Sequence, residues 1–168
     1  LYDRFVSKGA VMGDSFGLES VLWFANDPKD AYEEPTIKRS RSHDYVSKEV
    51  KNVRENVGVS EIANFSKHEF QGPDARKFLD YVLAGRIPKP GRICLNPMLT
   101  PKGKLYGDLT VACLNENKFM IFGSGAVQEM HRRWFEKHLK DFNVIYKNRS
   151  DDFHGLALSG PKSRNLLQ

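Results

Sequence analysis

The sequence predicts an α+β fold in which helices pack on an antiparallel sheet. Segments with alternating apolar residues, typical of strands, are followed by segments with apolar residues at helical spacing. Short turns that contain glycine, proline or asparagine separate these segments. The 168 residues are 40% hydrophobic and 28% charged, which is sufficient for one globular domain with an apolar core.

The amino-terminal third is predicted to contain one helix. Residues 1–25 hold many large apolar side chains interrupted by glycines, and we expect irregular structure that packs against a larger body. Residues 26–42 are polar and contain two prolines, which is typical of a surface loop. A helix is then expected from Ser42 or Asp44, either of which can cap it, to Gly58, because valines recur between them at helical spacing.

The rest of the chain is predicted to alternate strands and helices. Pro73 and Asp74 suit the first turn of a helix, because proline needs no backbone N–H there and the carboxylate lies near the positive end of the helix dipole. Gly85 is expected to end this helix. The other expected elements are strands at 66–71, 118–123, 143–147 and 155–159 and a second long helix at 126–140.

A β-hairpin is predicted around Thr100–Gly103, because proline and glycine occupy the positions that a type I turn favours. With the turn centred on residues 101 and 102, Cys94 falls opposite Leu109, so no disulfide with Cys113 is expected. The second strand alternates, with Leu105, Gly107, Leu109, Val111 and Cys113 on one face and Tyr106, Asp108, Thr110 and Ala112 on the other.

Asp108 is the residue of this strand that calls for an explanation. A carboxylate in a mostly apolar strand must find a partner, stay hydrated in a cleft or take up a proton. The residues alone favour a charge that discourages an edge strand from pairing with another sheet. The alternative is a positioned acid–base group.

Residues 159–167 repeat the pattern of residues 71–79. In both segments a strand is followed by Gly-Pro and by a helix that carries two adjacent apolar residues. The two glycines, Gly72 and Gly160, are 88 residues apart, so a structural unit is expected to begin again. We therefore expect an incomplete repeat unit at the carboxyl end and a chain that is part of a longer protein.

The net charge of +5 and the pI of about 9.2 permit an anionic partner such as nucleic acid, phosphate or a polyglutamate tail. The basic residues are dispersed, however, and the tightest cluster, Lys38–Arg41, is short, which disfavours nucleic acid. No metal is expected, because His68, His131 and His138 lack the spacing of metal ligands. No membrane segment is expected, because no apolar run approaches the ~20 residues of a spanning helix.

Several motifs in a fixed order carry a resemblance to one enzyme family. They are Gly9–Gly13, Phe16–Glu19, Leu22–Ala25, Tyr45–Val59, Gly72–Ala75, Met98–Gly103, Gly107–Val111 and Leu158–Pro161. Over nearly the full chain, the sequence resembles the junction of a flavin-dependent dimethylglycine/sarcosine dehydrogenase with its folate-binding, aminomethyltransferase-like half. The order and spacing of the motifs, rather than any one of them, make the match specific.

The resemblance implies that a flavin-dependent part oxidises an N-methyl amine to an iminium, and that tetrahydrofolate captures the one-carbon unit as 5,10-methylenetetrahydrofolate. Residues 1–44 would connect to the flavin-dependent half. Residues 45–168 would form the first part of a truncated folate-binding domain like that of the glycine cleavage T-protein. FAD is expected in a part of the protein outside this chain, because the sequence contains no Gly-x-Gly-x-x-Gly motif. The partners implied are this flavin domain and the rest of the folate domain.

The resemblance also implies a set of site residues. The key carboxylate of the family falls on Asp108, and folate-contacting positions fall on Phe122, on Ser124 and near Phe65. Tyr106 is expected beside Asp108, where burial would raise the pKa of the carboxyl and suit it to proton transfer. The aromatic rings of Phe65, Tyr106 and Phe122 either stack on a pterin or form ordinary core.

Two departures from the family pattern bear on the activity. Glu61-Ile62-Ala63 stands where the family usually has Asp, Leu or Val, and Ser, and Ser124 replaces an amide of the T-protein with a shorter hydroxyl. The second change favours the oxidase-linked reaction over glycine cleavage. A stand-alone glycine-cleavage aminomethyltransferase and a basic RNA-binding or iron–sulfur assembly module remain alternatives. Reduced cysteines are expected, in a bacterial cytoplasm or a mitochondrial matrix.

Overall fold

The computed structural model describes residues 1–15 and 17–168; Phe16, which belongs to one of the family-like motifs, lies outside the described residues. The helices are α1 (Tyr2–Val6), α2 (Ser42–Glu55), α3 (Ala75–Val82), α4 (Gln128–His138) and α5 (Ser163–Leu167). The strands are β1 (Ala10–Ser15), β2 (Leu18–Phe24), β3 (Gly58–Glu61), β4 (Phe65–Gln71), β5 (Ile93–Leu99), β6 (Leu105–Asn115), β7 (Lys118–Ser124), β8 (Ile145–Asn148) and β9 (Leu156–Ser159).

The chain divides into two compact units. The first consists of residues 1–60 and 157–168, and the second of residues 61–156. The expected boundary between residues 44 and 45 falls inside the first unit.

The first compact unit contains a helix, α1, and then a hairpin where irregular structure was predicted, so that prediction is wrong. β1 and β2 pair antiparallel, and the Asp14 carboxylate accepts a hydrogen bond from the Gly17 N–H in the turn. The glycines of this segment resemble strand breakers in a one-dimensional pattern. The hairpin is also stabilised by packing, because Trp23 is buried with Val11 and its ring lies tilted against that of Tyr45, with 5.0 Å between the ring centroids.

The helix predicted after the polar loop is confirmed as α2. Two of its three valines, Val46 and Val50, are nevertheless exposed. The residues after α2 form β3, a strand that the sequence analysis did not include, and β3 pairs with β9 in a two-stranded sheet.

The second unit is an antiparallel sheet with helices packed on one face, as predicted. The strand order is β5-β6-β7-β4-β8, and the neighbouring strands pair antiparallel. The apolar side of α3 lies in the core, as its spacing predicted. The largest core side chains are Phe70, Phe78, Leu79, Met98, Leu109, Val111, Phe119, Ile121 and Phe135.

The other side of this sheet, here called the open face, carries the alternate residues of the same strands. Phe65, Leu95 and Leu114 are exposed there. Uncovered apolar side chains of this size concentrate at binding surfaces, so the open face is where a functional site is expected.

The predicted hairpin is confirmed as β5 and β6, but with a different register. Cys94 pairs with Val111 rather than Leu109. One residue of this shift arises because Thr100 and Lys104 close a longer loop through a 2.8 Å hydrogen bond, and the other arises from a register shift between Met98 and Leu99. Both cysteines are free, as predicted. None of the helices in the described part of the chain is long and apolar enough to cross a membrane.

Candidate functional site

Three of the predicted site residues form a row across the open face. Phe65 on β4 pairs with Ser124 on β7. The pairing of Thr110 with Phe122, continued by two residues in the same register, brings Asp108 on β6 opposite Ser124. A carboxylate, a hydroxyl and an aromatic ring are thus aligned on three adjacent strands.

An apolar groove of about 560 Å³ lies beside this row. Phe65 and Phe122 line it together with Thr110 and Lys67, and residues 153–155 form part of its wall. The volume is in the range of small-molecule sites, which are mostly apolar with a few polar groups. The aromatic walls are suited to a planar ring, which can stack or pack edge-on against them.

The segment after β8 is attached to β4 by hydrogen bonds. The Arg149 N–H donates to the Lys67 carbonyl at 2.7 Å, and the Lys67 N–H donates to the Ser150 hydroxyl at 2.9 Å. The Ile62 N–H donates to the Gly155 carbonyl at 2.8 Å. These bonds hold the Phe153 wall of the groove in place from both ends.

Asp108 is exposed on the open face. It pairs with Pro97 on β5, and the neighbours of Asp108 in sequence, Gly107 and Leu109, face the core. The burial that the sequence analysis expected for this carboxylate is therefore not observed. Asp108 is open to solvent on the strand that contributes Thr110 to the groove lining, two residues from Thr110. Its carboxylate can accept a proton from, or lie beside the positive charge of, a bound molecule.

The structure does not bring Tyr106 to the open face, so the predicted shared face with Asp108 is wrong. The register shifts at this point, because Met98 pairs with Gly107 and Leu99 with Leu105. This bulge turns Tyr106 towards the helices, where its ring lies 4.5 Å from that of Trp134.

Histidines lie on the helix-covered face, opposite the groove. His68 is fully buried and its Nδ1 lies 2.8 Å from the Tyr146 hydroxyl. Burial and, to a smaller extent, His131 lower the pKa of His68 from 6.5 to about 4, against an opposing effect of Glu129. Burial also lowers the pKa of His131, although the Tyr106 carbonyl that accepts from its Nε2 acts in the opposite direction. Both rings are therefore neutral near pH 7. They have a structural role in the core, where the expectation was either a structural or a surface role.

Sequence reasoning missed Lys67, Thr110 and Phe153 as residues of the groove. Lys67 and Thr110 lie two residues from the predicted Phe65 and Asp108, so strand alternation could have found both. Phe153 lies outside the strands and helices, and no local pattern in the sequence connects it with the sheet.

Comparisons with known proteins identify the fold and the family of the chain. A solved structure of the glycine cleavage system aminomethyltransferase T from Bartonella henselae superposes with a TM-score of 0.71 over 99% of this chain and 41% of that chain, at 22% identity. This likeness confirms the α+β aminomethyltransferase fold.

Sequence relatives include dimethylglycine dehydrogenase, mitochondrial, from Homo sapiens, which is 34% identical over all of this chain and 20% of its own length. An aminomethyltransferase from Staphylococcus epidermidis is 30% identical over 68% of this chain and 32% of its own length. The chain thus spans about a fifth of the human relative. The model of the GCVT N-terminal domain matches residues 1–168, and the chain belongs to the GCVT N-terminal domain family.

Proposed function

We propose that this chain supplies part of a tetrahydrofolate site in an enzyme that oxidises N-methyl amines such as dimethylglycine or sarcosine. The observation that carries the proposal is the row of Asp108, Ser124 and Phe65, of which Phe65 also lines the adjoining apolar groove. The match of the whole chain to a fifth of a dimethylglycine dehydrogenase supports the oxidase-linked reaction.

The residues present fit a folate. Phe65 and Phe122 offer apolar surfaces for planar rings, and Thr110 adds a hydroxyl within the same groove. Ser124 can donate or accept one hydrogen bond. Tetrahydrofolate, when bound, supplies the nucleophilic nitrogens that take up the one-carbon unit as 5,10-methylenetetrahydrofolate.

Asp108 has the chemical role in this proposal. A nitrogen that attacks an iminium carbon must lose its proton as the new C–N bond forms, and a carboxylate in hydrogen-bond reach can accept that proton. The same negative charge stabilises the iminium before attack. Because Asp108 forms no salt bridge within the described residues, its charge is available for both purposes.

The remaining parts of the enzyme lie outside this chain in the proposal. Residues 1–44 connect to a flavin-dependent half that holds FAD, and further folate-domain residues complete the site. The proposed compartment is a mitochondrial matrix or a bacterial cytoplasm, and the human relative is named as mitochondrial.

Asp108→Asn in the intact enzyme tests the proposal. The substitution keeps the shape of the side chain and removes its charge, so methylenetetrahydrofolate formed per amine oxidised should fall roughly 10²–10⁴-fold. Amine oxidation should be unchanged. The control is Asp80→Asn, which alters an exposed carboxylate on α3 and should leave both reactions as they are. If Asp108→Asn forms as much methylenetetrahydrofolate per amine oxidised as the wild type, Asp108 has no catalytic role, and its charge serves only to discourage pairing of an edge strand.

A further inference from the structure

Lys67 is a buried cation in the groove. The residue belongs to the groove lining, although it is only 6% exposed. The ammonium donates to the carbonyls of Phe65 at 2.8 Å and Ala63 at 3.0 Å. Its third contact, with the Ser150 carbonyl, is long at 3.5 Å, so one N–H can be redirected at little cost.

The charge of Lys67 is not neutralised within the described residues, where its hydrogen-bond partners are carbonyls. The carboxylate of Glu69, two residues along the same face, is already engaged by Lys118 at 3.1 Å and Arg149 at 3.9 Å. A charge with restricted access to water is costly unless an opposite charge accompanies it. A bound anion would supply that charge, and the apolar walls would strengthen the attraction.

The distance between Lys67 and Asp108 limits the shape of the ligand. Asp108 lies two residues before Thr110 along β6. From Thr110 the path crosses one strand spacing to its partner Phe122 on β7 and a second to Lys67, the partner of Phe122 on β4. This corresponds to about 12 Å between backbone positions. Phe65 and Phe122 lie along this path. A matching ligand has a reactive end, a planar apolar middle and an anionic end.

We infer that Lys67 is the anchor for a carboxylate of the groove ligand, which places the planar part of that ligand between the aromatic walls and its reactive end beside Asp108. This inference rests on the proposed function and specifies the ligand as an aromatic carboxylate. In a folate, the glutamate carboxylate would lie at Lys67.

The test is binding of 5-formyltetrahydrofolate and of its glutamate diamide to the intact enzyme. The diacid should bind the wild type roughly 10- to 100-fold more tightly than the diamide, as expected for a charge-assisted hydrogen bond in a partly desolvated site. Lys67→Met should remove this preference, and Lys67→Arg should retain most of it. The control is Lys147→Met, which removes an exposed charge from β8, the strand beside β4, and should change the preference less than about twofold.

Each result bears on a separate claim. Equal binding of diacid and diamide to the wild type would overturn the role of Lys67 and leave the proposed folate site standing. Failure of both compounds to bind would overturn the proposed function as well. If Lys67→Met does not fold, the preference measured in the wild type and in Lys67→Arg still decides the question. A preference that persists in folded Lys67→Met would also overturn the inference.

Discussion

The two repeated segments, residues 71–79 (here called the Gly72 unit) and residues 159–167 (the Gly160 unit), have nearly the same backbone. Gly72 and Gly160 both have positive φ angles, of 151° and 118°. The helix caps that follow have φ and ψ of −97° and 8° at Asp74 and of −94° and 6° at Lys162. In each unit the first helical N–H donates to the glycine carbonyl at 3.1 Å. The predicted repeat of strand and helix is therefore confirmed.

The Gly72 unit and the Gly160 unit differ in the contacts that this chain supplies to them. Leu79 of the Gly72 unit is 0% exposed, whereas Leu167 at the matching position of the Gly160 unit, next to the last residue of the sequence, is 78% exposed. The local sequence forms the same turn and helix start in both units. Burial depends on partners such as Phe70 and Phe135, which come from other elements of the sheet and helices.

Truncating the matched leucines should give the largest difference in unfolding free energy between the Gly72 unit and the Gly160 unit. Leu79→Ala removes a fully buried side chain and should lower the free energy of unfolding by about 2–5 kcal/mol. Leu167→Ala, its matched control, should change it by less than about 0.5 kcal/mol. Denaturant unfolding followed by circular dichroism measures both. Equal losses in the two variants would mean that the second leucine is covered in solution.

Acid should destabilise the structure around the Gly72 unit by a smaller amount than Leu79→Ala does. His68 lies four residues before Gly72. The matching position, four residues before Gly160, holds the exposed Leu156. The pKa of His68 is lowered from 6.5 to about 4, so the unfolded chain takes up the proton first. The stability from neutral His68 is complete above pH 6.5 and is lost as the pH falls towards 4, by up to about 3 kcal/mol.

Unfolding measured at several values between pH 7.5 and 5 tests this expectation. His68→Leu should reduce the slope, although the lowered pKa of His131 leaves part of it. His154→Gln replaces an exposed histidine and should leave the slope unchanged. A wild-type curve that is flat over this range would contradict the prediction.

Substituting alanine for Gly72 or Gly160 should give the smallest losses of unfolding free energy, and the two losses should be similar. A Cβ atom would overlap the Asn143 carbonyl at Gly72 and the Asn56 and Val53 carbonyls at Gly160. With the positive φ angles, each substitution should cost about 1–3 kcal/mol. Gly91→Ala is the control, because φ there is 72° but a Cβ meets no atom within 4 Å. Thermal unfolding that shows a loss at Gly72 alone would mean that the two turns are not equivalent.

Much of the candidate site could be predicted from sequence. Asp108, Phe122, Ser124 and Phe65 all lie on the open face, because strand alternation and the order of the motifs are properties of the chain itself. The functional roles assigned to these residues remain predictions. Tyr106 could not be placed correctly, because a single bulge reverses the side of the sheet to which a residue points.

The sequence by itself determined the elements whose signals are local. These include the apolar side of α3, the Gly-Pro turns and the strands around the hairpin, because spacing and turn residues act over a few positions. Only the tertiary structure decided the bulge at Tyr106, the buried cation at Lys67 and the Phe153 wall of the groove. Each depends on contacts between residues far apart in the chain, such as the bonds of Lys67 to Ser150, 83 residues away. Such contacts exist only after the sheet has assembled, and a one-dimensional pattern does not encode them.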